Sequence, residues 1–249
     1  MDGAASVADK HFMSGLLEID VTNLRRRIRT LNREGESVSF TSWIIKAVGE
    51  SVARNPLVQG IQRRQSEVVV FDDVDIVLPV EKEVSGVSAP MPVIIRGANR
   101  KSTSEINAEI LAVRDQRVTD EADYVHERHD LPVLFLWLYA RLPRSVRVGI
   151  MRRMIASPFR AKKYTGTVYV TTVNAVGRGS GWALPTRSTC NLAVALGSIT
   201  RKPWGVEGRI ELREILHLTV SFNHDVIDGV PARRFIDHLV KRIESASDE

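Results

Sequence analysis

The chain has 249 residues, 43% of them hydrophobic and 26% charged, so an ordinary globular protein with a real core is expected. Its net charge of +5 is local: eight basic residues and no acidic one lie between Leu131 and Lys163, against 27 basic and 30 acidic elsewhere, which excludes a generally polycationic surface. The single cysteine, Cys190 in CNLAVALG, excludes an internal disulfide and reads as a packed thiol; no secretory pattern opens the chain, and its longest apolar run falls short of the roughly 20 residues that span a bilayer, so a cytoplasmic protein is expected.

In chain order, Phe12 to Val21 reads as a strand and Val21 to Asn32 as a helix opened by a Thr22 or Asn23 cap, with Leu24, Ile28 and Leu31 on one face. SFTSWIIKAVGESVARNP predicts a buried helix capped by Ser39 or Thr41 and closed by Pro56. The runs VVVF, VDIVLPV and MPVIIRG predict strands, and Ser102 to Glu105 a capping box before the helix EINAEILAVRDQRV. Thr119 to Lys163 changes from charged to apolar to basic and predicts a helical arm, with one helix broken near Pro143 and a second ended by Pro158. From Thr165 the chain becomes β-rich: TGTVYVTTV, a Gly-rich loop GRGSGWALP, CNLAVALGSI, a turn at Gly205 and RIELREILHLTVSF. A last amphipathic helix runs from Pro231 to about Ser245. One α/β domain, 1–249, with an insertion at about 119–163 is the economical description.

The chemistry concentrates in SFNHDVIDGVPARRFID, Ser221 to Asp237, where a strand runs into a helix whose first turn contains Pro231. His224 stands at the mouth of that connection, and an imidazole there can take a proton from a thiol or hydroxyl and return it. Asp228, next to Gly229, is placed for a tight turn; a solvent histidine followed by an Asp-Gly turn is the plainer alternative. This segment resembles the His-x-x-x-Asp-Gly signature of the catalytic domains of dihydrolipoamide acyltransferases, the core components of 2-oxo acid dehydrogenase complexes, and of the related chloramphenicol acetyltransferases. HFMSGLLEIDVTNLRRRIRTLN, SFTSWIIKAVGESVARNPLVQG, VDIVLPV through MPVIIRGANRKSTSEINAEI, TGTVYVTTVNAVG and CNLAVALGSITRKPW extend the resemblance over most of the chain in the family's order.

The resemblance implies a chloramphenicol acetyltransferase-like two-layer sandwich of sheet and helices, and acyl transfer between coenzyme A and a thiol acceptor such as dihydrolipoamide. His224 would be the general base, Thr171 (or Thr172) the hydroxyl that stabilises the oxyanion, and Asp228 a support for loop geometry. It also implies a homotrimer or larger oligomer whose active sites lie between subunits. The chain begins almost at the first catalytic strand, so a lipoyl group would be supplied in trans by a lipoyl-bearing protein, or free acyl-coenzyme A would be the donor. One departure concerns the base: the family's Asp-His-Arg is here Asn223-His224-Asp225. A carboxylate beside the imidazole favours the imidazolium, unless Asp225 pairs with Arg233 or Arg234.

Other features suggest less. His126 and His129 lack an evident third metal ligand, so no metal is expected. Gly177, Gly179 and Gly181 follow a strand but precede no helix pattern, which leaves a flexible channel-lining loop as the reading and no dinucleotide fingerprint. His217 reads as a strand residue and His238 as a helix-surface residue. The 131–163 arm, apolar and then cationic, suits a partner or membrane surface, and no nucleic-acid motif accompanies it. Two further functions remain open: a trimeric scaffold with little or no turnover, and transfer to a small-molecule hydroxyl or amine.

Overall fold

The computed structural model describes residues 7, 9–64, 67–84, 87–115, 138–139, 141–173, 179–185 and 188–246. Strand β1 (Phe12–Asp20) leads into helix α1 (Thr22–Arg33), which buries Leu24, Ile28 and Leu31 as one stripe. Neither Thr22 nor Asn23 caps α1. Val21 holds the cap position, and the Asp20 carboxylate accepts from the Thr22 amide at 2.9 Å, so an anion satisfies the helix's first free donor. Helix α2 (Phe40–Arg54) starts at a reciprocal Ser39–Ser42 capping box and gives way at Asn55 to a 3-10 turn, Pro56–Gln59. A small hairpin, β2 (Ile61–Arg64) and β3 (Glu67–Val69), precedes the hairpin of β4 (Ile76–Val84) and β5 (Val87–Ile95).

Helix α3 (Thr103–Asp115) has its expected box: the Ser102 amide donates to Glu105 Oε2 at 2.7 Å and the Glu105 amide to Ser102 Oγ at 3.2 Å. Most of the first half of the expected arm lies outside the described residues. Its second half forms α4 (Arg144–Ile155) and α5 (Pro158–Thr165). Pro158 is the first residue of α5, a position where the missing amide costs nothing, whereas α4 already ends at Ile155. The last elements are β6 (Val168–Thr172), β7 (Leu192–Val206), β8 (Arg209–Asn223) and α6 (Gly229–Ser245).

The main sheet has the order β1-β8-β7-β6-β4-β5; β6 lies parallel to β4 and β7, and the other pairs are antiparallel. Strand parity divides its two faces. Leu216, Leu218, Val220 and Phe222 of β8, Leu192, Val194 and Leu196 of β7, and Val168 and Val170 of β6 join the core with the helices, and Phe222 meets Phe235 of α6 edge-to-face at 5.9 Å. Each such fully buried side chain contributes about 1.5–3 kcal/mol of burial energy, enough to fix which face turns inward. The opposite face carries Tyr169, Thr171, Ala193, Ala195, His217, Thr219 and Ser221, and is small and polar where the core face is aliphatic.

The β7–β8 turn falls at Glu207 and Gly208, both with positive φ (47° and 79°), and not at Gly205, which stays in β7 opposite Ile210. Positive φ at both central residues is the mark of a two-residue type I′ hairpin turn. The described part of the Gly-rich loop is stitched to β7 and is not a free channel lining: Gly181 N donates to Ser198 Oγ at 2.8 Å and Ser198 N to Gly181 O at 3.1 Å, where the β7–β8 register shifts between Leu196 and Ile199. No residue other than glycine fits at 197, since a Cβ there would stand 2.4 Å from the Gly181 carbonyl oxygen.

Candidate active site

β1 and β8 pair with Phe12 opposite Asn223, which brings His11 beside the His224 loop at the end of the sheet. The His224 amide donates to the His11 carbonyl at 2.7 Å. Asp225 grips the same residue in return, with its Oδ1 2.8 Å from His11 Nδ1 and its Oδ2 accepting from the His11 amide at 3.2 Å. His11 thus holds the loop at three points. These bonds to the His11 ring and main chain hold the Asp225 carboxyl below the usual carboxylate range. Asp225 therefore finds its partner in His11 and not in Arg233 or Arg234; Arg233 instead reaches Asp237 at 3.5 Å.

Under the loop, buried Asn223 accepts from the Asp225 amide at 3.2 Å and donates to Asn191 Oδ1 at 3.0 Å, and the Lys10 ammonium reaches the same oxygen at 2.8 Å. Burial pushes the Lys10 pKa down, opposed by the charge of Asp225. The amides of Val226 and Ile227 close the turn on the Asn223 carbonyl at 3.2 and 3.0 Å. The His224 side chain is exposed and has no hydrogen-bond partner among the described residues. Asp228 occupies the cap position of α6, yet its carboxylate makes no cap bond. Within one chain the loop geometry rests on Asn223, Asp225 and His11, and not on Asp228.

Thr171 and Thr172 end β6, and both line a groove of about 930 Å³ with Ser39, Asn107, Arg114 and Tyr169. Parity separates them. Thr172 shares the core face with Val168 and Val170, while Thr171 lies with Tyr169 on the polar face. Register then measures their distance from His224. Thr171 is opposite Ala195, Ala195 is opposite Thr219, and His224 lies five residues beyond Thr219 in sequence. At about 3.3 Å per residue and about 4.8 Å per strand spacing, Thr171 and His224 are roughly 19 Å apart in one chain. A single chain does not bring these two residues together.

The other candidates resolve as packing. Burial raises the Cys190 thiol to about 11, as a packed and unreactive group requires. His217 is buried under Trp182, its Nδ1 3.0 Å from the Ser198 carbonyl oxygen. His238, expected on an open helix surface, is half-buried and ties α6 to Ser51 of α2 at 2.9 Å. His126 and His129 lie outside the described residues, among which no group of side chains could hold a metal ion. No described helix is long and apolar enough to cross a membrane. His11, Lys10 and Asn191 are the residues that sequence reasoning missed. Their only signal is the β1–β8 register, which local patterning does not carry.

The family described as 2-oxoacid dehydrogenases acyltransferase (catalytic domain) matches residues 10–122 and 164–248. The dihydrolipoyllysine-residue acetyltransferase component of the pyruvate dehydrogenase complex of Bacillus subtilis (strain 168) is 23% identical over 228 residues, which are 89% of this chain and 42% of that protein. The chain spans less than half the length of the curated relatives it matches. Among solved structures, a probable dihydrolipoamide acetyltransferase from Listeria monocytogenes 4b F2365 superposes with a TM-score of 0.68 at 18% identity, covering 99% of this chain and 90% of the other. A chloramphenicol acetyltransferase superposes with a TM-score of 0.52 at 13% identity, covering 94% and 87%. The fold is therefore the chloramphenicol acetyltransferase-like sandwich that the sequence resemblance implied. With the match running from Lys10, under the His224 loop, to Asp248 beyond α6, the chain belongs to the family of 2-oxoacid dehydrogenase acyltransferase catalytic domains.

Proposed function

We propose that this chain is a coenzyme A-dependent acyltransferase domain that moves an acyl group between coenzyme A and a dihydrolipoyl thiol, with His224 as general base. The observation that carries this reading is an exposed imidazole with no side-chain partner, on a loop held to His11 by three hydrogen bonds, in a chain of this family. Rigid backbone with an unengaged ring is what a proton-transfer residue requires. The acceptor thiol gives its proton to the imidazole and its thiolate adds to the thioester carbonyl. The tetrahedral oxyanion then collapses, and the departing thiolate takes the proton back from the imidazolium.

The oxyanion needs a donor that the His224 end of one chain does not supply from Thr171. We propose that a neighbouring protomer brings its Thr171 to this His224, in a homotrimer or larger oligomer with the active sites between chains. Two observations support this: the separation of the two residues along the sheet, and the placement of Thr171 in an open groove with Ser39, Asn107 and Arg114. The dihydrolipoyl acceptor follows the name of the Bacillus subtilis relative, and a lipoyl-bearing protein would present it in trans. Residues 123–163 fall between the two matched stretches, and we read them as an insertion in one domain, with α4 and α5 a surface for a partner or a membrane.

Release of free coenzyme A thiol from acetyl- and longer acyl-coenzyme A, with dihydrolipoamide as acceptor, tests the reading. His224→Ala should lower kcat by about 10²–10⁴-fold with little change in the KM for acyl-coenzyme A, as loss of a general base does. A variant that keeps the parent rate sinks the assignment.

A further inference from the structure

On the helix side of the sheet, α2 and α6 flank an open cavity of about 550 Å³ lined by Glu50 and Arg54 of α2, His238, Lys241 and Arg242 of α6, and Asn99. It is separate from the His224 loop, since His238 lies nine residues into α6, about 14 Å along the helix axis from Gly229. The cavity wall is fixed. A Cβ at Gly49 would come within 3.0 Å of the Asn99 backbone, so α2 and this loop are already in contact.

The charges around the cavity do not balance. Among the described residues Glu50 is the only acidic one lining it, and both of its oxygens are taken: Oε2 by Arg242 at 2.6 Å and Oε1 by Lys46 at 3.3 Å. Asp237, one turn before Lys241, is engaged by Arg233. Arg54 and Lys241 therefore have no carboxylate partner among the described residues. His238 completes the wall, and its tautomer can be assigned. The Ser51 hydroxyl donates its one hydrogen to the Ala47 carbonyl at 2.7 Å, so at 2.9 Å it can only accept from His238 Nδ1–H. The neutral ring then carries a lone pair on Nε2, and protonation turns Nε2 into a third donor.

We propose that this cavity is a binding site for a phosphate monoester, with the Arg54 guanidinium, the Lys241 ammonium and the Nε2–H of His238 as its donors. Arg54 offers a fork that matches two phosphate oxygens, and Lys241 and His238 add single donors. The volume exceeds that of a phosphate group and leaves room for a small organic part. Burial first, and then the charges of Arg54, Arg242 and Lys241 against that of Glu50, lower the His238 pKa. The empty site thus favours the neutral ring, and an arriving anion reverses that balance, so binding takes up a proton.

The site stands or falls by ligand binding, independently of acyl transfer at His224. The probes are sulfate, which does not titrate in the working range, and glycerol phosphate, each compared with chloride at equal ionic strength. His238, assigned by NMR through the loss of its ring signal in His238→Gln, should titrate at higher pH in sulfate than in chloride. Calorimetric affinity for sulfate should fall, by up to about tenfold per pH unit, between the chloride and the sulfate midpoints and level off above the latter. Arg54→Gln combined with Lys241→Gln, both at exposed positions, should weaken binding of either probe at least tenfold, while His238→Gln should leave weaker binding that no longer depends on pH. An unchanged His238 midpoint in sulfate, undiminished affinity in the double variant, or glycerol phosphate binding no tighter than chloride each overturns the proposal.

Discussion

Asp225 follows His224 where the family usually has arginine, and the structure shows what accompanies the exchange: the carboxylate leaves the His224 ring alone and clamps His11. Because these bonds lower the Asp225 pKa, the clamp is present above the ordinary carboxylate value of about 3.9 and is lost only as pH falls through the lower folded value. Both side chains are well exposed, so the pair contributes at most about 1 kcal/mol to stability. Asp225→Asn should accordingly leave the urea midpoint almost unmoved, yet lower kcat about tenfold by freeing the loop backbone, a loss typical of modest misplacement. Unchanged kcat with a shifted midpoint would mean that the clamp serves the fold and not the base. At this scale the sequence was legible wherever the interaction was local. The Ser39 and Ser102–Glu105 caps could be read from residues three apart. The Asp225–His11 pair spans 214 positions, and nothing near either residue announces the other.

Among the elements, helices and strands followed their periodicity, and the departures have particular causes. Gly205 suggested a turn because glycine commonly marks one, but a strand tolerates glycine, and the chain reverses where Glu207 and Gly208 both take positive φ. Gly197 does have a steric task, since its missing Cβ leaves room for Gly181 to join β7. Gly197→Ala should cost about 1–3 kcal/mol, as overpacking does, with backbone on both sides and no flexible side chain to yield. Gly205→Ala, with nothing within 4 Å of its added Cβ, is the matched control and should unfold at the parent's urea midpoint. Equal midpoints for the two variants would show that the loop can be displaced from β7 without cost.

For the whole molecule, the question is whether one chain or two make the site. His224→Ala and Thr171→Ala should each be inactive by the thiol-release assay, the latter because loss of one oxyanion donor costs on the order of 10²–10³-fold. Co-refolded in equal amounts, they should recover about a quarter of the parent activity, the frequency with which an intact histidine meets an intact threonine across a random cyclic interface. No recovery would place both residues in the same chain's site. Sequence alone supplied the two residues through resemblance, while their separation needed the sheet order, which no single segment contains.

Beyond the sheet, β7 and β8 continue together as a two-stranded ribbon, because β1 ends opposite Ile215 and β6 opposite Leu196. Ile210 and Leu212 are 82% and 72% exposed along its outer reach, alternating in sequence with the charged and exposed Arg209 and Glu211. Unpaired backbone beside bare aliphatic side chains is how sheets begin to stack edge to edge, and alternating charge is a common safeguard against it. Exposed aliphatic side chains and charged ones thus alternate along one strand, and neutralising Arg209 and Glu211 should raise the tendency of the chain to aggregate.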